Sequence, residues 1–333
     1  MDDLTVVRTP QDARWDVLTF GETMLRLNPA PGSSLEDADA LQIHVAGSES
    51  NMAVALSRLE LRVAWGSRLA QSGPGRRIAA ELRRWQVDVS QVIWEPEDGG
   101  RTGLFYVEYG NSPRATTVLY DRTHSAASHL KPGDASIEAL QGARILHLTG
   151  ITPALSHSCA EFVSHTAAAA RSVGTFISFD VNYRSRLWTP AAARGTLQGI
   201  MESIDLLICT QEDALILYGI QDPGEETAKA LRSLLGVPAV VVTCGANGAY
   251  GRTASRSYYA PGLAINPPLD RFGAGDAFAA GLLYGVLMGD IEQGLRFGMA
   301  MAALKHSYTG DLLLATGQEI RRVAEGGFGG LQR

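Results

Sequence analysis

Asp270-Arg271-Phe272-Gly273-Ala274-Gly275-Asp276-Ala277-Phe278-Ala279-Ala280-Gly281 is the stretch from which the rest of the chain is read. A small glycine-rich turn runs straight into a long apolar helical pattern at 274–288. Glycines let a backbone approach a ligand and take conformations closed to other residues. The free N–H groups at a helix start, helped by the helix dipole, form an anion site. A phosphoryl group in transfer carries the charge such a site stabilises. Asp276 falls in the first turn, where a carboxylate can take the proton from an attacking hydroxyl as a general base. By position alone an aspartate there is more often only a helix cap. The pattern around it decides between the two.

Upstream, short apolar runs at 16–20, 62–65, 144–148, 175–179, 205–209 and 239–243 alternate with helical patterns at 49–59, 75–85, 156–171, 190–202 and 225–235. Such alternation predicts an α/β fold, a mainly parallel sheet covered by helices on both faces. Helical patterns at 291–306 and 317–324 close the chain. Two stretches, about 24–45 and 101–122, alternate with period 2 instead and predict antiparallel strands outside the main sheet, a small β lid. The expected organisation is an N-terminal tail at 1–14, one domain at 15–325 and a flexible C-terminal tail at 326–333.

Composition excludes several classes. The 333 residues are 45% apolar and 19% charged with a net charge of -6, which argues against a general nucleic-acid binder. An acidic protein can still bind an anionic substrate through a few arginines in a cleft. Three scattered cysteines give neither a zinc pattern nor a disulfide framework. No run is long enough for a membrane span, and the polar N-terminus lacks the apolar core of a secretory signal, so a cytoplasmic location is expected. There is no Walker A pattern and no Gly-x-Gly-x-x-Gly fingerprint, so any ATP is held by another device.

The 270–281 stretch resembles the C-terminal signature of the ribokinase-like (PfkB) sugar kinases. Ala46-Gly47-Ser48-Glu49-Ser50-Asn51-Met52-Ala53-Val54-Ala55-Leu56 resembles their N-terminal signature. The resemblance covers about 16–324 and implies a three-layer α/β/α fold with a β lid, ATP and Mg2+. It implies that Asp276 is the catalytic base and that Gly273, Ala274 and Gly275 form the anion hole. It places Gly47, Ser48 and Asn51 on the sugar, and ATP along the turn Gly245-Ala246-Asn247-Gly248-Ala249-Tyr250, with Gly273 and Gly275. Without the resemblance that turn is an ordinary hairpin. Members carry an Asn-x-x-Glu motif that organises magnesium through water; here Thr210-Gln211-Glu212-Asp213 stands there, leaving Asp213 as an indirect metal ligand. They commonly carry Thr where this chain has Arg271 or Phe272, which speaks against the monovalent-cation site some of them build near the loop.

Gly21-Glu22-Thr23-Met24-Leu25-Arg26-Leu27, Tyr120-Asp121-Arg122 and Phe179-Asp180-Val181-Asn182-Tyr183-Arg184 are similar to the sugar-acid branch, the 2-keto-3-deoxygluconate kinases. A guanidinium binds a carboxylate with two parallel hydrogen bonds. The resemblance therefore implies Tyr120, Arg122, Arg184 and Asp311 on the substrate, with Asn182, and Arg184 again, beside the phosphates. Relatives place a tyrosine after Thr-Gly-Leu, where this chain has Phe105 and then Tyr106. Tyr106 is the substrate candidate if the register shifts; otherwise one hydrogen bond is missing. The expected activity is ATP-dependent phosphorylation of 2-keto-3-deoxygluconate at its 6-hydroxyl. The rivals are a kinase for a neutral sugar (fructose or ribose) or a deoxy-inositol acid, and an inactive sugar-binding sensor. Open lid edges suggest a homo-oligomer formed through the lid.

Overall fold

The computed structural model describes residues 7–96, 99–110, 112–265 and 268–327. The expected tails at 1–14 and 326–333 thus lie partly outside the described residues. Within 7–14, the Arg144 side chain donates to Arg8 O at 2.7 Å and Arg14 N donates to Gly142 O at 2.8 Å.

The first half of the chain builds β1 (Trp15–Phe20), β2 (Met24–Asn28), β3 (Gln42–Ala46), α1 (Ser48–Ser57), β4 (Val63–Ala70) and α2 (Gly73–Arg84). It continues with β5 (Asp88–Glu95), β6 (Leu104–Glu108), β7 (Thr117–Asp121), α3 (Ile137–Gln141), β8 (Ala143–Thr149) and α4 (His157–Ser172). Next come β9 (Phe176–Asp180), α5 (Pro190–Met201), β10 (Leu206–Thr210), α6 (Gln211–Tyr218), α7 (Glu225–Leu235), β11 (Ala239–Thr243), β12 (Ala249–Arg252) and β13 (Ser257–Ala260). The chain ends in α8 (Ala274–Leu287), α9 (Ile291–Lys305) and α10 (Gly317–Ala324).

The main sheet has nine strands in the order β13-β12-β11-β10-β9-β8-β1-β4-β5. All its pairs are parallel except β11–β12 and β12–β13. From β1 the chain winds outward to β4 and β5, then returns to place β8 on the other side of β1. That reversal is a topological switch point, and open α/β sheets bind ligands in the crevice beyond the carboxyl ends of the strands there.

The strands alternate between two cores. Val17, Val63, Ile145, Ile208 and Val241 face one core with α1, α2, α8, α9 and α10. Leu18, Leu146, Phe179, Leu207 and Val240 face the other, with α3 to α7. With both faces covered, the strands read as unbroken apolar runs, as the sequence does. The fold is the expected three-layer one.

A four-stranded sheet, β3-β2-β6-β7, forms the lid. Its strands fall inside the stretches that alternate with period 2. One pairing departs from a purely antiparallel lid: β2 and β6 are parallel, because the chain returns to the lid through the whole β4–α2–β5 crossover. Three strands go beyond the expected set: β12, which pairs with β11, and the edge strands β5 and β13. β5 is largely half-buried and lacks an apolar run, and β13 is a four-residue hairpin arm. The short helix α6 begins directly after β10 with no turn residue to announce it.

α8 is buried on nearly every side, as its all-round apolar sequence requires. It meets α9 at two glycine pairs. A Cβ on Gly281 would fall 2.4 Å from Gly298 N, and one on Gly285 would fall 2.2 Å from the Gly294 Cα. Backbone cannot give way as a side-chain tip does. Gly285→Ala is therefore expected to cost about 1–3 kcal/mol in urea unfolding. Gly195→Ala, in open space on exposed α5, is expected to gain about 0.5–1 kcal/mol from helix propensity. Equal effects at both sites would contradict the packing argument.

Candidate active site

Asp276 sits in the first turn of α8, fully buried in a polar junction. Gly273, at the N-cap, has φ +80°, and a Cβ there would lie 2.1 Å from Asp311 O. Both facts demand glycine. The N-terminus of α1 faces the same carboxylate: Ser48 Oγ donates to Asp276 Oδ1 at 2.6 Å and Asn51 Nδ2 donates to Oδ2 at 2.7 Å. Asn182, held at φ +41°, donates from Nδ2 to Ser48 Oγ at 3.0 Å. Burial pushes the Asp276 carboxyl up, while the Ser48 and Asn51 hydrogen bonds and the nearby Arg184 and Lys305 charges pull it down. The aspartate is thus more than a cap: its two oxygens are presented from α8 to α1 across the crevice.

On one side of this junction lies a small cleft of about 100 Å³. Gly47, Ser48, Asn51, Gly273, Asp276 and Asp311 line it from the helix ends and loops. Glu22 and Ile151 reach it from the segments after β1 and β8, the strands flanking the switch point, and Arg184 from the segment after the next strand, β9. Phe105, Tyr120 and Arg122 close it from the lid. Phe105 and Tyr120 stack with ring centroids 5.5 Å apart. Arg184 is exposed, and its guanidinium makes no hydrogen bond or ion pair with the described residues. Arg122 is different, for it is already ion-paired with Glu22, itself buried with Oε1 unpartnered.

Tyr106 does not belong to this set. Phe105 and Val107 pack inward with Met24 and Phe272, whereas Tyr106 pairs in register with the exposed Leu119 on the opposite face. Strand alternation puts neighbours on opposite sides, so Phe105, without a hydroxyl, occupies the cleft-facing position.

On the other side lies a cavity of about 550 Å³. Gly245, Ala246 and Gly248 line it, as does Gly275, and its walls include the apolar Leu263, Ile265, Phe278 and Met299. Asn247, Ala249 and Tyr250 do not. Ala249 is buried in the core beneath β12, and Tyr250 packs on Tyr259 with centroids 4.7 Å apart. Asn182 and Arg184 do not line this cavity either: Arg184 lines the small cleft, and Asn182 lines neither space. The Gly273–Asp276 segment is the wall shared by the two spaces: Gly273 and Asp276 face the cleft, Ala274 and Gly275 the larger cavity.

Three carboxylates crowd the junction. Asp180, at the end of β9, is pushed up to about 8 by burial and by the charges of Asp276 and Asp213. Asp213 is raised by burial; its Oδ2 accepts from Tyr183 N at 3.4 Å. Thr210, which takes the first position of the expected Asn-x-x-Glu motif, caps α6 by accepting from Asp213 N at 2.9 Å. Asp213 lines neither space. Mutual repulsion of buried carboxylates is relieved by a cation, so Asp180 and Asp213 suit a divalent ion better than they suit an empty interior. Asp180 was not singled out from the sequence. The signal for it is an acidic residue closing a buried strand two positions before a left-handed Asn.

Arg26, fully buried on lid strand β2, donates to Asp311 Oδ2 at 2.7 Å and to Asp270 Oδ2 at 2.9 Å. Asp270 Oδ2 also accepts from Tyr109 Oη at 2.5 Å and Gly310 N at 3.0 Å. The lid is thereby tied to the loop that carries Gly273. Nothing in local sequence pairs residues this far apart.

The chain matches the model of the pfkB family of carbohydrate kinases over residues 15–315. It is 37% identical over 319 residues to a 2-dehydro-3-deoxygalactonokinase of Haloferax volcanii, covering 96% of this chain and 99% of that one. It is 33% identical over 302 residues to a 2-dehydro-3-deoxygluconokinase of Bacillus subtilis, covering 89% and 91%. Its fold is similar to the crystal structure of a 2-dehydro-3-deoxygluconokinase of Thermotoga maritima, with a TM-score of 0.87, 31% identity and coverage of 93% and 98%.

Beside the site, Glu49 is wholly buried. Its Oε1 accepts from Thr149 at 2.7 Å and Thr152 at 2.9 Å, while Oε2 has no partner. Burial raises it from its ordinary 4.5 to about 7, so the native state keeps a proton that the unfolded chain has lost. Stability must then fall as pH rises through that window. Glu49→Gln is expected to match wild type below the window and to be more stable above pH 7 by roughly 1–3 kcal/mol. Parallel stability–pH curves in urea melts would refute this. Tyr106→Phe is expected to leave the acceptor KM unchanged in steady-state kinetics.

Proposed function

We propose that this chain, which belongs to the pfkB family of carbohydrate kinases, transfers the terminal phosphoryl group of ATP to a 2-dehydro-3-deoxy sugar acid, foremost 2-dehydro-3-deoxygluconate, at its 6-hydroxyl. The observation that carries the choice of an acid is Arg184: a cation without an ion-pair partner among the described residues, in the same small cleft as the buried Asp276. A substrate carboxylate satisfies that guanidinium through two parallel hydrogen bonds, and a neutral sugar leaves it unpaired. Arg122, held by Glu22, contributes through its remaining N–H groups from the lid side.

Asp276 takes the proton from the acceptor hydroxyl, with Ser48 and Asn51 fixing the carboxylate. The N–H groups at the start of α8 stabilise charge on the phosphoryl group as it passes the shared wall. The 550 Å³ cavity, with glycines on one side and apolar walls on the other, suits a purine nucleotide. Magnesium, held through Asp180 and Asp213, would neutralise the phosphates. Lid closure excludes water and limits ATP hydrolysis.

The galactonate epimer is the second reading, supported by the name of the 37%-identical relative. Exposed Ile43 and Leu119 on the lid support a homo-oligomer paired through it, and a cytoplasmic setting agrees with an ATP-dependent role. Among the described residues no helix is long and apolar enough to cross a membrane.

ADP release with magnesium-ATP should appear with both keto-deoxy acids and be far lower with gluconate, fructose and ribose. The larger kcat/KM identifies the epimer. Turnover of fructose or ribose alone would remove the carboxylate role of Arg184. Asp276→Asn should lower kcat by about 10²–10⁴-fold with the fold intact, and Arg184→Gln should raise the acceptor KM far more than the ATP KM.

A further inference from the structure

Lys305, the last residue of α9, is wholly buried yet lines neither the acceptor cleft nor the nucleotide cavity. Its Nζ donates to Tyr308 O at 3.1 Å and makes no ion pair within 4.0 Å. Two of its three donors therefore have no described partner. Asp270, Asp311 and Asp276 nevertheless act on it electrostatically. The segment it anchors packs under the loop that carries the anion hole. His306 O accepts from Leu269 N at 2.8 Å, Gly310 N donates to Asp270, and Asp311 O leaves no room for a Cβ on Gly273.

Charge counting shows what the lysine supplies. Asp270 and Asp311 share one guanidinium, that of Arg26. The carbonyl end of α9 adds negative potential at the same place. An ammonium at that helix end offsets both, and it sits behind the loop rather than against a ligand.

We infer that Lys305 is a positioning residue, a built-in monovalent cation that holds the 270–276 loop on the 308–311 turn, so that the anion hole forms without a bound alkali ion. The inference rests on the kinase reading but not on which acceptor is used. The loop itself offers Arg271 and Phe272 between Asp270 and Gly273, and Phe272 stacks under Arg26 at 4.7 Å. A lysine that only fills space would leave loop geometry, and hence turnover, indifferent to its charge.

The test compares wild type, Lys305→Met and Lys305→Ala in sodium, potassium, ammonium and tetramethylammonium chloride at equal ionic strength. Two quantities are read: Tm, which needs no acceptor, and kcat with magnesium-ATP on whichever panel acid or sugar wild type phosphorylates. Wild type is expected to show the same kcat and Tm in all four salts. Lys305→Met, close in volume but neutral, should lose about tenfold or more in kcat with little change in the ATP KM, in every salt. Lys305→Ala, which opens a space of ammonium size, should regain activity and Tm in potassium or ammonium but not in tetramethylammonium. Wild-type turnover that needs potassium, wild-type kcat in Lys305→Met, or a Lys305→Ala Tm indifferent to the salt would each overturn the inference. Should Lys305→Ala fail to fold, the Lys305→Met rate decides.

Discussion

The burial of one carboxylate, Asp276, between the starts of two helices constrains the rest of this molecule. A carboxylate out of water is tolerable only if its oxygens are hydrogen-bonded. Ser48 and Asn51 supply those bonds from α1, which fixes α1 against α8. α8 in turn lies against α9 at backbone contact distance, which only the glycine pairs allow. The two central helices are thus set by polar contacts at one end and by absent side chains along their length. The sheet edge beneath them supplies Glu22, Ile151 and Arg184 because the switch point between β1 and β8 opens there.

The lid is not an independent flap. Arg26 carries a lid strand's charge into the interior and binds both Asp270 and Asp311, while Arg186 donates to Val118 O at 2.8 Å on the lid's outer strand. Breaking a buried pair leaves an uncompensated charge, which costs about 3–5 kcal/mol. The inner lid strand and the glycine loop therefore keep one register. Lid position and the geometry of the 270–273 loop are in this sense a single variable. Buried charge here serves alignment more than stability, since the desolvation of one guanidinium and two carboxylates offsets much of their attraction.

Crowding of Asp180, Asp213 and Asp276 gives the site its electrostatic character. Each is raised by burial first, and Asp180 further by the charges of its neighbours. Such a cluster favours positive charge nearby, and Arg184 pulls all three carboxylates back down. Thr210 caps α6 with its hydroxyl and leaves the Asp213 carboxylate free of that task.

Features that depend on neighbours in the chain were legible in the sequence. The runs at 144–148 and 239–243 became β8 and β11, and Gly273-Ala274-Gly275-Asp276 became a left-handed turn opening α8, because strand period, helix period and glycine's freedom are local properties. The tertiary structure alone decided what touches what. Asn51 and Asp276 meet across 225 positions, and Arg26 and Asp311 across 285. Whether Phe105 or Tyr106 faces the cleft turned on a single-residue register, which a strand's alternation makes decisive and its sequence does not announce. Lys305 read as a basic residue at a helix end; only the packing of the 269–273 and 308–311 segments around it made it an interior charge, because burial is a property of the assembled chain and not of any stretch of it.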